Sequence, residues 1–211
     1  MNTHYTIYTK RLCLRLLELN DAEQLSTAIQ TSPSLHQWVD WCHKDFTHNE
    51  AMEFISATRV NWVKAIAFGF ALFDRQDDQF LGMVALNEFY HTFNMGSIGY
   101  WLKDSAQQQG YAHEALDALI EFSFTHLLLT RLEIVCDPEN IPSHQLAQRV
   151  GATYECVAQN RFVFEGKPKA GWVYSLVPLD RHSKPRIKKE ALSSASCWGI
   201  NAILDLVLTR G

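Results

Sequence analysis

Hydrophobic positions along this chain change period several times, and the changes mark its elements. From Lys10 to Leu17, Leu12, Leu14 and Leu16 alternate with Arg11, Cys13 and Arg15, the period of two expected of a half-buried strand. The period then lengthens. Ala22, Leu25 and Ile29 recur at helical spacing behind Asn20 or Asp21 as cap, and Thr31-Ser32-Pro33 ends that helix. Leu35 to Phe46 reads as a short helix and loop rich in aromatics. A helix is predicted from His48 to Ala65 with Met52, Ile55, Val60 and Val63 facing the core; Asn49 is its cap, and Met52 three residues on leaves no capping box. Phe68–Phe73 and Phe80–Phe89 read as strands around the polar turn Asp74–Asp78, and Ser97–Leu102 returns after a turn from Tyr90 to Gly96.

In the second half, Ala112, Ala115, Leu116, Leu119, Ile120 and Phe124 have helical spacing, and Leu132, Ile134 and Cys136 alternate with Glu133 and Val135. A strand, a crossover helix and a further strand should lie parallel with a right-handed crossover. A helix from Asn140 to Val150 is expected to end at Gly151 in the C′ position. Tyr154–Phe164 and Gly171–Val177 form a last hairpin across Glu165–Lys169. The elements add up to an α+β fold: a mixed, mostly antiparallel sheet of six to seven strands flanked by about four helices. The domain should close by residue 180. Beyond it a basic stretch, SKPRIKKE, and an interrupted apolar stretch make residues 181–211 a C-terminal extension of unknown role, expected to be dispensable for ligand binding.

Composition narrows the field. The chain has 211 residues, 47% hydrophobic and 20% charged, enough for one core-bearing domain. A net charge of -4 gives no general attraction to nucleic acid. With no apolar run of about 18 residues and no signal-peptide core, no membrane span is expected and a cytoplasmic location is inferred. Cys13, Cys42, Cys136, Cys156 and Cys197 lack C-x-x-C spacing and suit reduced thiols. The scattered histidines form no zinc pattern, so no metal is expected. There is no G-x-S-x-G, and Gly110 is not followed by the Lys-Ser/Thr of a P-loop, which argues against a serine hydrolase and an NTPase.

The stretch Gln107 to Leu116, QQQGYAHEAL, lies between a strand and a helix. A glycine-bearing polar turn at a helix start exposes unpaired N–H groups and the positive end of the helix dipole, an anion site. The pattern Gln107-x-x-Gly110-x-Ala112 resembles the Q/R-x-x-G-x-G/A pyrophosphate loop of the GNAT superfamily of acyl-CoA-dependent N-acyltransferases. Ile98-Gly99-Tyr100-Trp101-Leu102 upstream, and Asn140-x-x-Ser143 after the next strand, resemble the RimJ/RimL-type branch, named for ribosomal-protein N-terminal acetyltransferases. The likeness runs from about Thr9 to Asp180. Here Ala112 stands for the commoner Gly and Gln107 for the frequent Arg, the latter lowering positive charge near the phosphates.

The resemblance implies a fold in which the fourth and fifth strands splay, and acetyl-CoA as cosubstrate. Gln107, Gln108, Gln109, Gly110, Tyr111, Ala112 and His113 would hold the pyrophosphate, Asn140 the pantetheine arm, and backbone N–H near Trp101 and Leu102 the thioester oxygen. Ser143 either donates to the leaving sulfur or satisfies its own helix's first turn. Glu155, in a stretch like the family's G-F-x-x-E, is either the base for the amine or an exposed strand carboxylate. Trp38, Trp41 and Trp62 either bury the helical insert or, for one of them, line the acceptor groove; Asn87 either contacts substrate or holds a turn. The implied activity is acetylation of a protein N-terminal amine, with a ribosomal protein among the possible acceptors; a small-molecule amine acetyltransferase and a non-catalytic acyl-CoA-binding module are the alternatives. Monomer and homodimer both remain open.

Overall fold

The computed structural model describes residues 2–90 and 92–178, so the extension expected at 181–211 lies outside the described residues. Eight strands are described, β1 Thr6–Tyr8, β2 Leu12–Arg15, β3 Phe68–Asp74, β4 Phe80–Tyr90, β5 Met95–Leu102, β6 Arg131–Cys136, β7 Thr153–Phe164 and β8 Lys167–Leu176. Five α-helices accompany them, α1 Ala22–Gln30, α2 Pro33–Trp38, α3 His48–Val63, α4 Tyr111–Thr125 and α5 Ile141–Arg149. All lie about one sheet of order β1-β2-β3-β4-β5-β6-β8-β7, antiparallel throughout except where β5 meets β6. The mixed α+β architecture is the expected one. The additional strand is β1, a three-residue edge pairing Thr6–Tyr8 with Cys13–Arg15, too short and too exposed to show a period.

Alternation in the strands gives each sheet face its own core. On one face Leu12, Leu14, Phe70, Leu72, Val84, Leu86, Ile98, Leu132 and Ile134 pack beneath Ala115, Leu116, Leu119 and Ile120 of α4. On the other, Ala71, Phe73, Phe80 and Met83 lie under Leu25 and Ile29 of α1 and Ala51 and Ile55 of α3. Gly151, at φ +84°, follows α5 in the expected C′ role.

The helical insert differs from its expected register. Thr47, two residues before Asn49, caps α3: its hydroxyl accepts from the Glu50 N–H at 3.2 Å, and the Glu50 carboxylate accepts from the Thr47 N–H at 2.7 Å. This is the capping box that a start at Asn49 ruled out. Of the expected core positions Ile55 is buried, whereas Val60 and Val63 are 48% and 66% exposed. The inward stripe instead runs through Ala51, Ile55 and Trp62, with the Thr58 methyl in the same row against Gly69. A polar threonine in that row hid it from hydrophobicity. Asp21 does precede α1 but caps nothing; its carboxylate accepts from Arg15 at 2.7 and 2.9 Å and from the Glu18 N–H at 2.7 Å.

Trp62 is fully buried, edge-on to Phe68 and Phe70. Trp62→Ala is therefore expected to cost about 3–5 kcal/mol and Val63→Ala no more than about 0.5 kcal/mol, measured by urea unfolding.

Candidate active site

Strands β5 and β6 pair in parallel from Met95↔Arg131 to Ile98↔Ile134 and no further. β5 runs on against β4 to Gly82↔Leu102, and β6 against β8 to Cys136↔Trp172. Each is thus held by its outer neighbour while the inner edges part, so β5 from Gly99 to Leu102 turns backbone groups towards an opening. These are the fourth and fifth strands of the sequence reading. Trp101 and Leu102 lie on the released stretch.

At the wide end stands Gly110, at φ +81°. An L side chain rarely adopts that conformation. Gly110 occupies the cap position of α4 without a side-chain cap bond, so the first-turn N–H groups of Tyr111, Ala112 and His113 have no partner within the helix and point where the helix dipole is positive. Ala112 lies inside the helix, where its methyl costs nothing. The Gln107 side chain turns inward, donating to Ser34 Oγ at 2.8 Å and to the Leu102 carbonyl at 3.1 Å. Gln108 has φ +59° and Gln109 donates to the Ser105 carbonyl. His113 reaches the Arg149 carbonyl at 3.3 Å and Asp117 at 3.2 Å. A turn with free amides and no side chain at Gly110 suits a pyrophosphate.

Arg11, which the sequence offered only as the outer face of a strand, belongs to this turn. Its Nη1 donates to the Gln109 carbonyl at 2.9 Å, and its Nη2 lies 3.4 Å from where a Cβ on Gly110 would sit. Glu114 holds it there, accepting from Arg11 Nε at 2.7 Å, the Arg11 N–H at 2.8 Å and Thr9 Oγ1 at 2.6 Å. Arg11 restores positive charge where Gln107 replaces arginine.

On the α4 and α5 side of the opening, Asn140 Oδ1 accepts from the Ser143 N–H at 3.1 Å and so caps α5. The Ser143 hydroxyl is then free of its own helix. It lies 2.9 Å from the Tyr100 hydroxyl and donates to Cys136 Sγ at 3.1 Å. Tyr100 is on β5 and Cys136 ends β6, so Ser143 bridges the two parting strands. Burial pushes the Tyr100 phenol far up, keeping it a proton donor. Neither partner was singled out from sequence.

On the opposite side, Asn87 Nδ2 is 3.3 Å from where a Cβ on Gly99 would be, so this amide overlies the start of the opening. Trp41 stacks on Phe54 at 4.5 Å and meets Trp101 edge-on at 6.2 Å. Trp38 ends α2 half-buried, apart from that cluster. Asp40 accepts from the Glu165 N–H at 2.7 Å, linking the loop after α2 to the β7–β8 turn. Glu155 accepts from Arg131 at 2.8 and 2.6 Å and from Ser175 at 2.7 Å. The Arg131 guanidinium, aided by the serine, holds its carboxyl below the usual range, and the carboxylate in turn raises the guanidinium. Among the described residues no cluster of His, Cys, Asp and Glu could hold a metal, and no helix is long and apolar enough to cross a membrane.

With this geometry in hand, known proteins supply context. A family model described as an acetyltransferase (GNAT) domain matches residues 11–153. The uncharacterised N-acetyltransferase p20 of Bacillus licheniformis is 28% identical over 173 residues, 82% of this chain and 96% of that protein. A structure of a proposed ribosomal-protein-serine acetyltransferase from Vibrio cholerae is 58% identical, with a TM-score of 0.79 over 84% of this chain and 100% of that one. The ribosomal alpha-N-protein acetyltransferase RimL, in complex with coenzyme A, shares the fold, at 21% identity and a TM-score of 0.75 over 82% of this chain and 98% of that one.

The Arg131–Glu155 pair makes a prediction about pH. A carboxylate whose folded pKa is depressed contributes stability that is present above its unfolded pKa and is lost as pH falls through the folded value. Glu155→Gln should therefore lower Tm at pH 7, with the gap to wild type closing below about pH 4. A gap that stays constant with pH would remove the ion pair from the account.

Proposed function

The chain belongs to the GNAT acetyltransferase family, and from that premise we propose that it transfers the acetyl group of acetyl-CoA to a protein N-terminal α-amine, with a ribosomal protein as the acceptor. The observation that carries the reading is the opening between β5 and β6, with an uncapped glycine turn at one end and the Ser143 hydroxyl across it. The ribosomal acceptor rests on the 58% identity to the Vibrio cholerae protein and what that protein is named for.

Acetyl-CoA, when bound, supplies a thioester already activated for attack. The N–H groups from Gln108 to His113 take the pyrophosphate with Arg11 beside them, and Gln107 keeps the turn in shape. Asn140 holds the pantetheine arm. Released backbone N–H near Trp101 and Leu102 meets the thioester oxygen, a donor already oriented when charge develops. Ser143 donates to the departing sulfur, with Tyr100 behind it as the protonated partner. An α-amine with a pKa of roughly 7.7–8.0 needs only a modest base. Glu155, pinned by Arg131, is a weak base for direct proton removal; it acts through a water molecule and through its charge. Trp38, Trp41 and Asn87 border the acceptor's path.

Acetyl-CoA should raise Tm by mass action, and Gly110→Val should abolish that rise, since valine cannot adopt φ near +81° without strain. No rise for wild type at millimolar CoA would sink the assignment. Ser143→Ala should keep the rise while lowering the rate on the order of 10²–10⁴-fold with an N-terminal peptide, followed by CoA release.

A further inference from the structure

Two β-bulges on the acceptor side aim their side chains at each other. The β4–β5 register shifts between Asn87 and Tyr90, where Glu88 has φ +49°, and the β7–β8 register shifts between Ala158 and Phe162, where Asn160 has φ +49° beside Arg161. Bulges of this kind re-aim side chains and gather near active sites. β8 makes room for the crossing: a Cβ on Gly171 would lie 3.1 Å from Arg161 Cβ and 2.6 Å from Val135 Cγ1. Arg161 Nη2 then stands 3.8 Å from Glu88 Oε2 and 3.5 Å from Glu133 Oε2.

Both side chains are only 10% exposed. Yet among the described residues nothing hydrogen-bonds either Glu88 oxygen or Arg161 Nη1. Buried charges without partners are costly and mark places where a ligand completes the set. The place is informative. Asn87, the residue before Glu88, overlies Gly99, and Glu133 pairs with Ser97, which pairs with Asn87, one step from where β5 and β6 part. An amine held by Glu88 would sit beside the narrow end of the opening.

We infer that Glu88 and Arg161 form the seat for an α-aminoacyl unit, Glu88 binding the ammonium and taking its proton, Arg161 Nη1 donating to the neighbouring carbonyl oxygen. This rests on the acetyl-transfer reading above and extends it to the acceptor. The unpaired groups are two acceptor oxygens and one donor nitrogen; an ammonium and the carbonyl one carbon away are their complement. A lysine ε-amine brings no carbonyl. A free amino acid brings a second carboxylate into a row where Glu88, Glu133 and Glu155 already outnumber Arg161 and Arg131. The ammonium gives one proton to Glu88, and the neutral nitrogen bonds to the thioester carbonyl carbon as the carbon–sulfur bond breaks. The nitrogen's second proton ends on the thiolate, and Glu88 releases its own to solvent. Burial moves the Glu88 carboxyl above its ordinary range, with Arg161 on β7 pulling it down and Glu133 on β6 pushing it up; the Tyr90 phenol is the other titratable group nearby. A raised carboxyl is the better proton acceptor near neutrality.

The test uses the full chain and acetyl-CoA, with a peptide bearing N-terminal serine, serinamide and ethanolamine as acceptors. Wild type should favour serinamide over ethanolamine by about 10²-fold or more in kcat/KM per free amine, because ethanolamine leaves Arg161 unpaired. Glu88→Gln should keep the acetyl-CoA rise in Tm, lower kcat/KM for the peptide on the order of 10²-fold or more, and lose the carboxyl's acid limb from the pH profile. Arg161→Gln should erase the serinamide preference through KM. Wild-type rate and pH profile in a folded Glu88→Gln, or equal use of serinamide and ethanolamine by wild type, would overturn the assignment; the second needs no variant to fold. A wild type that acetylates none of these amines sinks the acetyl-transfer reading itself, whereas a wild type that acetylates them indifferently sinks only the seat.

Discussion

The molecule depends on keeping two neighbouring strands apart. A parallel pair in mid-sheet gains hydrogen bonds with each step it continues, so β5 and β6 should zip past Ile98 and Ile134 unless something opposes it. The opposition comes from both sides. β4 and β8 hold the outer edges to Leu102 and Cys136, and Ser143 at the start of α5 stands between Tyr100 and Cys136. The proline after Ile141 and the Asn140 cap fix where that helix begins, and hence where the serine stands. Backbone groups that would otherwise saturate one another stay available to a ligand, and the rest of the fold keeps the gap from collapsing.

The sheet also separates the two halves of acyl transfer. Hydroxyl and thiol chemistry lies on the α4 and α5 side, with Ser143, Tyr100 and Cys136. Charged groups gather on the other side, from Glu155 and Arg131 through Glu133 to Arg161 and Glu88. A sulfur leaving towards one face and an amine arriving from the other do not compete for the same protons. Both sides meet at Gly99, where there is no side chain to block the way.

Much of this was legible in the sequence because it rests on period and on local turn chemistry. Strand alternation, the Gly110 turn, the Asn140-x-x-Ser143 cap and Gly151 after α5 each declare themselves within a few residues. What escaped has physical reasons. Thr47-x-x-Glu50 is a legible capping signal, but the choice of Asn49 passed over it. The inward stripe of α3 uses Thr58, which a hydrophobic count discards. Glu88 and Arg161 sit in bulges, and a bulge shifts the parity on which face assignment depends. Arg11 reaches its turn across about a hundred positions of chain, which no local pattern records.

The anchoring of that turn bears on how far its motif could be transplanted. Residues 107–116 look like a cassette, a glycine pattern that carries its own function. Yet Glu114 inside the cassette is spent holding Thr9 and Arg11, and the guanidinium so held is the cation at the loop. Grafted alone onto another strand and helix, the segment would bring the shape without the positive charge, and would bring instead a carboxylate deprived of its partners. The unit that evolution or an engineer must move is the loop together with the β1–β2 turn, two pieces of chain distant in sequence and inseparable in use.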